Sequence, residues 1–218
     1  MSHALSAFLF VVAALFPIVN PIGMAPIFLS MTAGASPEAR RLLSVRIALG
    51  GLALLVVSMF VGTYVLAFFG LTLPAVQIGG GLLVSATGWR LLQGSDERSD
   101  RGNPTLASDS VILRRAFFPL TMPLTVGPGS IAVAITLGSS APPGGGLVSQ
   151  AAGALAGLLA IAGSIYLCFR YADRLLRIVG EVGTDVIIRL SAFILLCLGI
   201  QILWRGVSAL LAGARLAT

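Results

Sequence analysis

The sequence predicts an all-helical, polytopic membrane protein: six transmembrane helices in two three-helix halves, the second inverted relative to the first, with the first and fourth helices broken. Three observations lead there. The composition is too apolar for a solvated surface, the apolar residues fall into six runs of membrane-spanning length, and one proline motif occurs twice.

Hydrophobic residues make up 57% of the 218 positions and charged residues 10%, with a mean hydropathy of +1.00. A soluble domain carries about 25% charge, so lipid rather than water must cover this chain. At roughly 20 apolar residues per crossing, the length accommodates about six spans with short loops and no separate soluble domain. The formal net charge of +6 does not point to nucleic acid, because Lys is absent and the Arg residues flank hydrophobic runs. A nucleic-acid surface would gather them into a patch interleaved with aromatics. Cys168 and Cys197 lie in apolar stretches and read as inert thiols. The start Met1-Ser2-His3-Ala4-Leu5 lacks the basic n-region of a cleaved signal peptide, so it is expected to be retained.

The apolar runs fall at about 4–32, 44–69, 74–93, 112–138, 147–169 and 186–204. They divide a single transmembrane domain into repeat one (1–93), a cytoplasmic linker (94–110), repeat two (111–206) and a short tail (207–218). Ahead of the second run, Ser36-Pro37-Glu38 supplies a capping hydroxyl, a proline that needs no N–H, and an acid for the first turn. Gly70 to Pro74 reads as a tight turn, and Ala141-Pro142-Pro143-Gly144-Gly145-Gly146 as an uncharged one. The polar stretch Gly94 to Ser110, with Asp96, Glu97, Arg98, Asp100, Arg101 and Asp109, links the halves. Connections after runs one, three and five hold twelve Arg and the opposite side two, Arg205 and Arg215. The positive-inside rule then puts both termini outside the cytoplasm, in a bacterial-type plasma membrane.

Phe16-Pro17-Ile18-Val19-Asn20-Pro21-Ile22-Gly23-Met24-Ala25-Pro26 repeats as Phe118-Pro119-Leu120-Thr121-Met122-Pro123-Leu124-Thr125-Val126-Gly127-Pro128, a pattern F-P-x-x-x-P-x-x-x-x-P at a constant offset of 102. Six of the eleven prolines fall in these strings. Weaker echoes pair Phe69-Gly70 with Val179-Gly180 and Thr87-Gly88-Trp89 with Leu198-Gly199-Ile200. Three spans per half is an odd number, so the second copy must sit upside down, as in many secondary transporters. A proline within a helix costs about 3 kcal/mol, and three within ten residues predict a broken span: a helix ending near Phe16 or Phe118, an irregular stretch, then a half-helix beginning at Asn20-Pro21 (or Ala25-Pro26) and at Gly127-Pro128-Gly129-Ser130. Irregular backbone at membrane depth survives where protein buries it or it lines a cavity.

Half-helix N-termini offer N–H groups to a carboxylate, and the opposing C-termini offer carbonyls to an ammonium or metal cation. Together they suit a small zwitterion. The alternative is that the proline kinks only shape packing. The candidate substrate-binding residues are Asn20, Pro21, Gly23, Thr121, Thr125, Gly127, Gly129 and Ser130. Asn20 can hold substrate or merely cap; membrane threonines also bond their own helix backbone; glycines admit close approach of backbone to ligand or of helix to helix. Gly79-Gly80-Gly81 reads as close helix contact. Gln77 and Gln201 are uncharged polar groups in apolar runs that line a path or bond across helices, and Arg189 snorkels, pairs with Asp185, or gates.

Catalytic and metal chemistry find little here. The single His is His3, no His/Cys/Asp/Glu cluster suggests a metal, and no Walker motif is possible without Lys. No enzyme activity, cofactor or metal is expected, and no acid sits mid-membrane as a proton relay.

The strings Phe16 to Phe28 and Pro123 to Ala132, with Arg189-Leu-Ser-Ala-Phe-Ile-Leu-Leu-Cys-Leu-Gly-Ile-Gln201, resemble those of the MarC family across nearly the whole chain. The resemblance implies a six-span bacterial membrane protein of the wider LysE exporter superfamily that transports small neutral amino acids such as alanine or glycine. Met122 stands at the repeat position of Asn20, and Ser191 where a Gly is expected. The function expected is a secondary transporter or exporter of small zwitterionic amino acids. An efflux protein for hydrophobic compounds and a non-transporting scaffold are the alternatives. Its partners are the bilayer and a small-molecule substrate, with a coupling ion and a homo-oligomer left open, and no nucleic acid.

Overall fold

The computed structural model describes residues 3–32, 34–93, 113, 116–139 and 146–215. The linker 94–110, with Arg98 and Arg101, and also Arg114, Arg115 and most of the Ala141–Gly146 turn, lie outside the described residues. Those that are described form helices and turns, with no strand among them.

Helix α1 (His3–Val19) buries Val11, Leu15 and Val19, a stripe of period four. Asn20 interrupts it in the left-handed region (φ 48°, ψ 57°), and α2 (Pro21–Met31) follows with proline at its first position. The break is narrower than the prolines suggest. Pro17 sits inside α1 and the helix runs on to Val19, not Phe16, because the Asn20 N–H still reaches the Phe16 carbonyl at 2.9 Å. Helix α3 (Pro37–Phe68) begins as its sequence dictates: the Ser36 side chain accepts from Ala39 N–H, Pro37 follows, and Glu38 sits in the first turn. Its 32 residues extend about 48 Å, so its arginine-bearing first turns project beyond a ~30 Å hydrocarbon layer. Gly70, at φ 66°, turns the chain into α4 (Leu73–Leu92).

The second half opens with a wide, π-type helical segment, Ala116–Thr125. Phe118 and Met122 leave helical geometry there for extended φ/ψ, each held out of the α region by the proline that follows it. The segment is bent by 68° against α5 (Pro128–Ser139). Helix α6 (Leu147–Arg170) then leads to α7 (Ala172–Arg215), which Gly180 (φ 70°, ψ 176°) divides into a short piece, 172–179, and a long one. Among the described residues, Gly70 and Gly180 are the glycines with positive φ.

Four stretches are long and apolar enough to cross a membrane, His3–Met31, Pro37–Phe68, Val148–Arg170 and Val182–Ala212, and the bent pair makes a fifth if taken as one span. The third expected span, α4, falls short of that measure, since Gln77, three consecutive glycines, Ser85, Thr87 and Arg90 dilute its 20 residues.

Helix α4 packs most extensively on α7, α1 on α6, and α3 on both α5 and α6. The α4–α7 seam is antiparallel and depends on missing side chains. A Cβ on Gly81 would lie 2.5 Å from Leu203 N and 2.7 Å from the Gly199 carbonyl; one on Gly88 would meet Leu196 N at 2.6 Å. Gly80 is covered by Ala132 of α5, so the glycine run serves close helix contact at two of its three positions; Gly79 has nothing within 4 Å.

Candidate functional site

Backbone chemistry sets the two breaks. Proline has no N–H, and P-x-x-x-P places the second proline where the first one's carbonyl would find its helical donor. Pro21 therefore cannot serve Pro17, nor Pro123 serve Pro119. In α1 this removes the α-helical donor of the Pro17 carbonyl; in the π-type segment the donor position moves to i+5, so the same spacing leaves Leu124 N–H as the counterpart of the Pro119 carbonyl. The chain leaves the helix at matching residues as well, Asn20 and Met122, each just before the second proline.

In the first break Asn20 is 8% exposed, and its Oδ1 accepts from Gly23 N–H at 3.2 Å. The side chain is thus an N-cap, and the Asn20 amide donates no hydrogen bond within the described residues. Pro21 and Gly23 are buried beside it, and a Cβ at Gly23 would collide with the Asn20 amide. In the second break, buried Thr121 and Thr125 donate their hydroxyls to the carbonyls of Ala116 and Leu120, each at 2.7 Å. Of the carbonyls near the helix ends, those of Phe16, Ala116 and Leu120 are therefore occupied, so the expected free carbonyl at Phe16 is not found. Helix α5 makes its first ladder bond from Ile131 N–H to the Gly127 carbonyl (3.1 Å), leaving the Gly129 and Ser130 N–H groups ahead of it. The Ser130 hydroxyl donates to the same Gly127 carbonyl at 2.9 Å, and Gly127 itself is half-buried. Val84 of α4 lies directly over Gly129, so this helix start is covered.

The elements bring the breaks together: α2 touches the π-type segment and α1 touches α5. Thr121 packs on Gly50 and Val126 on Gly51, both of α3. The proposed path residues separate. Gln77 donates to Thr136 across α4 and α5 at 3.4 Å. Gln201 is exposed on α7. Arg189 is exposed and makes no ion pair with Asp185 among the described residues.

Two features escaped the sequence. A cavity of about 680 Å³ opens at the end of the bundle that carries His3, lined by His3, Ser6, Phe10, Thr63, Tyr64 and Gln150 among others. One turn deeper than its floor residues Val11, Met59 and Ala154 stand Leu15, Leu55 and Leu158, all fully buried, which separate it from the breaks. The opposite, arginine-rich end is held by contacts between the halves. There Arg40 Nη1 donates to both Asp173 carboxylate oxygens (3.1 and 3.3 Å) and Nε donates to the Thr32 carbonyl (3.2 Å). One turn inward the rings of Phe28 and Phe169 stack at 4.6 Å. In the sequence His3 is only the single histidine and Arg40 one of the twelve connection arginines. Their place at the cavity and in the ion pair comes from tertiary contact.

A model of the MarC family integral membrane proteins matches residues 5–211. The chain is 30% identical over 200 residues to the inner membrane protein MarC of Salmonella typhimurium, covering 88% of this chain and 90% of that protein. It is 28% identical over 199 residues to the membrane protein YhcE of Escherichia coli, covering 91% of each. No solved structure matches it.

Proposed function

This chain belongs to the MarC family of integral membrane proteins, and on that premise we propose that it is a secondary transporter or exporter of small neutral, zwitterionic amino acids. The reading includes six spans in two inverted halves, a bacterial inner membrane like that of its Salmonella relative, no catalytic activity, and both termini outside the cytoplasm. The observation that carries it is the pair of matched breaks, in which a P-x-x-x-P interruption and a following half-helix N-terminus recur 102 residues apart. Substrate binds between them, its carboxylate on N–H groups near Gly129 and Ser130 or near Asn20, its ammonium on backbone carbonyls of the opposite break.

The packing pattern supports two related halves. Exchanging first half for second, α1 against α6 becomes the π-type segment against α3, α3 against α5 becomes α6 against α2, α4 against α5 becomes α7 against α2, and the α4–α7 and α3–α6 contacts map onto themselves. With buried charge scarce, backbone groups are the electrostatic resource at that depth.

The test is competition for uptake into proteoliposomes of the purified protein. Labelled alanine should be displaced by glycine and other small neutral amino acids, and not by their amides or decarboxylated amines, which lack one charged end. Equal displacement by the amines would sink the zwitterion reading. A second reading, efflux of hydrophobic compounds, draws on Phe10, Phe60 and Tyr64 in the cavity wall; amphipathic dyes moving where amino acids do not would favour it.

A further inference from the structure

We propose that the structure is an outward-open state, in which the His3-end cavity is the extracytoplasmic vestibule of the transport route and the Arg40–Asp173 pair is the latch that holds the cytoplasmic end shut. The inference rests on the two-halved transporter reading but not on the identity of the substrate. The arginine bias assigns the sides. At the cytoplasmic end three elements meet on one guanidinium: Arg40 from the first turn of α3, the Thr32 carbonyl at the end of α2, and Asp173 from the first turn of α7. The latch therefore ties the first half to the second, and the Phe28–Phe169 stack lies behind it.

The two ends correspond. The 110 residues that separate Gly70 from Gly180 also separate Arg40 from Gln150 and Thr63 from Asp173. Gln150 and Thr63 both line the open cavity, so they occupy the positions at that end that the ion pair occupies at the other. They are uncharged and make no hydrogen bond to each other here, and the Gln150 Oε1 atom is buried with no hydrogen-bond partner among the described residues. Closing the vestibule would bring the Thr63 hydroxyl to that orphaned oxygen. The molecule thus carries a charged latch at one end and a neutral one at the other. The charged one is made in the state observed.

The experiment needs no substrate, so it stands apart from the transport assay. In a Cys168→Ala, Cys197→Ala background, a Thr63→Cys, Gln150→Cys pair can be oxidised to a disulfide only when the vestibule closes, since the Cα atoms must come within about 7 Å. An ion pair this open to water, 25% and 52% exposed, biases an equilibrium by roughly two- to fivefold. Asp173→Asn should accelerate the cross-link by about that factor, and should expose a separate Ser44→Cys, buried one turn inward of Arg40, to an impermeant thiol reagent from the cytoplasmic face. The reversed pair Arg40→Asp with Asp173→Arg should return both rates toward the starting value, which separates a latch from damage to the fold. Cross-linking and labelling rates indifferent to Asp173→Asn would overturn the proposal, as would a Ser44→Cys that reacts from the same face as a Ser6→Cys.

Discussion

A residue at φ 48° is comfortable only as glycine or with a short polar side chain that can bond its own backbone, and Asn20 meets that need through Gly23 N–H. Its amide donors remain to be used. Backbone shape and amide chemistry can be separated: Asn20→Gly keeps the left-handed turn and loses both the cap and the donors. A hydrogen bond to a charged group is worth about 1.5–3 kcal/mol, a factor of roughly 10 to 150 in affinity. Asn20→Gly is expected to lower substrate affinity in proteoliposomes by that factor with yield nearly unchanged. Ser130→Ala is expected to be milder, because its N–H survives and its hydroxyl is already spent on Gly127. Normal transport by Asn20→Gly would reduce Asn20 to a cap. Asn20, Gly23 and the two threonines were legible in the sequence because a proline string marks them. Arg40 was not, since its partner Asp173 stands 133 positions away and local spacing carries no trace of it.

Helix ends were readable wherever side chains define them. Ser36-Pro37-Glu38 starts α3 as its chemistry requires, and Gly70 turns where a positive φ is needed. The interior prolines were harder. Pro17 costs α1 one hydrogen bond without ending it, and only the residue before Pro21 leaves the helix. The second copy differs because Met122 has no amide to stabilise a left-handed turn, and it goes extended instead. The two-piece form of α7 was likewise unseen: the expected apolar run begins at 186, and the short piece, though helical, carries Asp173, Arg174 and Arg177. At this scale the α4–α7 seam gives a paired test. Gly81→Ala would press a methyl on the α7 backbone and should cost about 1–3 kcal/mol, read as a lowered melting temperature in detergent. Gly79→Ala, with nothing within 4 Å, should leave it unchanged. Equal effects would mean that the seam does not hold the halves together.

Across the whole molecule, class and helical content follow from composition, whereas the count of spans depends on how breaks and a polar α4 are read. Two measurements address that. A reporter fused after Thr218 should be active only outside the cytoplasm, and an experimental structure should superpose 1–93 on 110–206 by a roughly two-fold rotation. Cytoplasmic reporter activity would reverse the orientation, and an uninterrupted first or fourth span would remove the site. The three buried leucines beneath the vestibule, Leu15, Leu55 and Leu158, have a kinetic consequence. A zwitterion crossing such a layer unaided must shed the water around two charges, several kcal/mol for each, so no continuous wet path is available and passage waits on helix movement. Movements of that kind take on the order of microseconds to milliseconds, so the transporter proposed above is expected to behave as a saturable carrier rather than a pore. Preloading vesicles with unlabelled substrate should therefore speed entry of the labelled form, and Leu15→Ala together with Leu158→Ala should convert that exchange into a leak that no longer saturates.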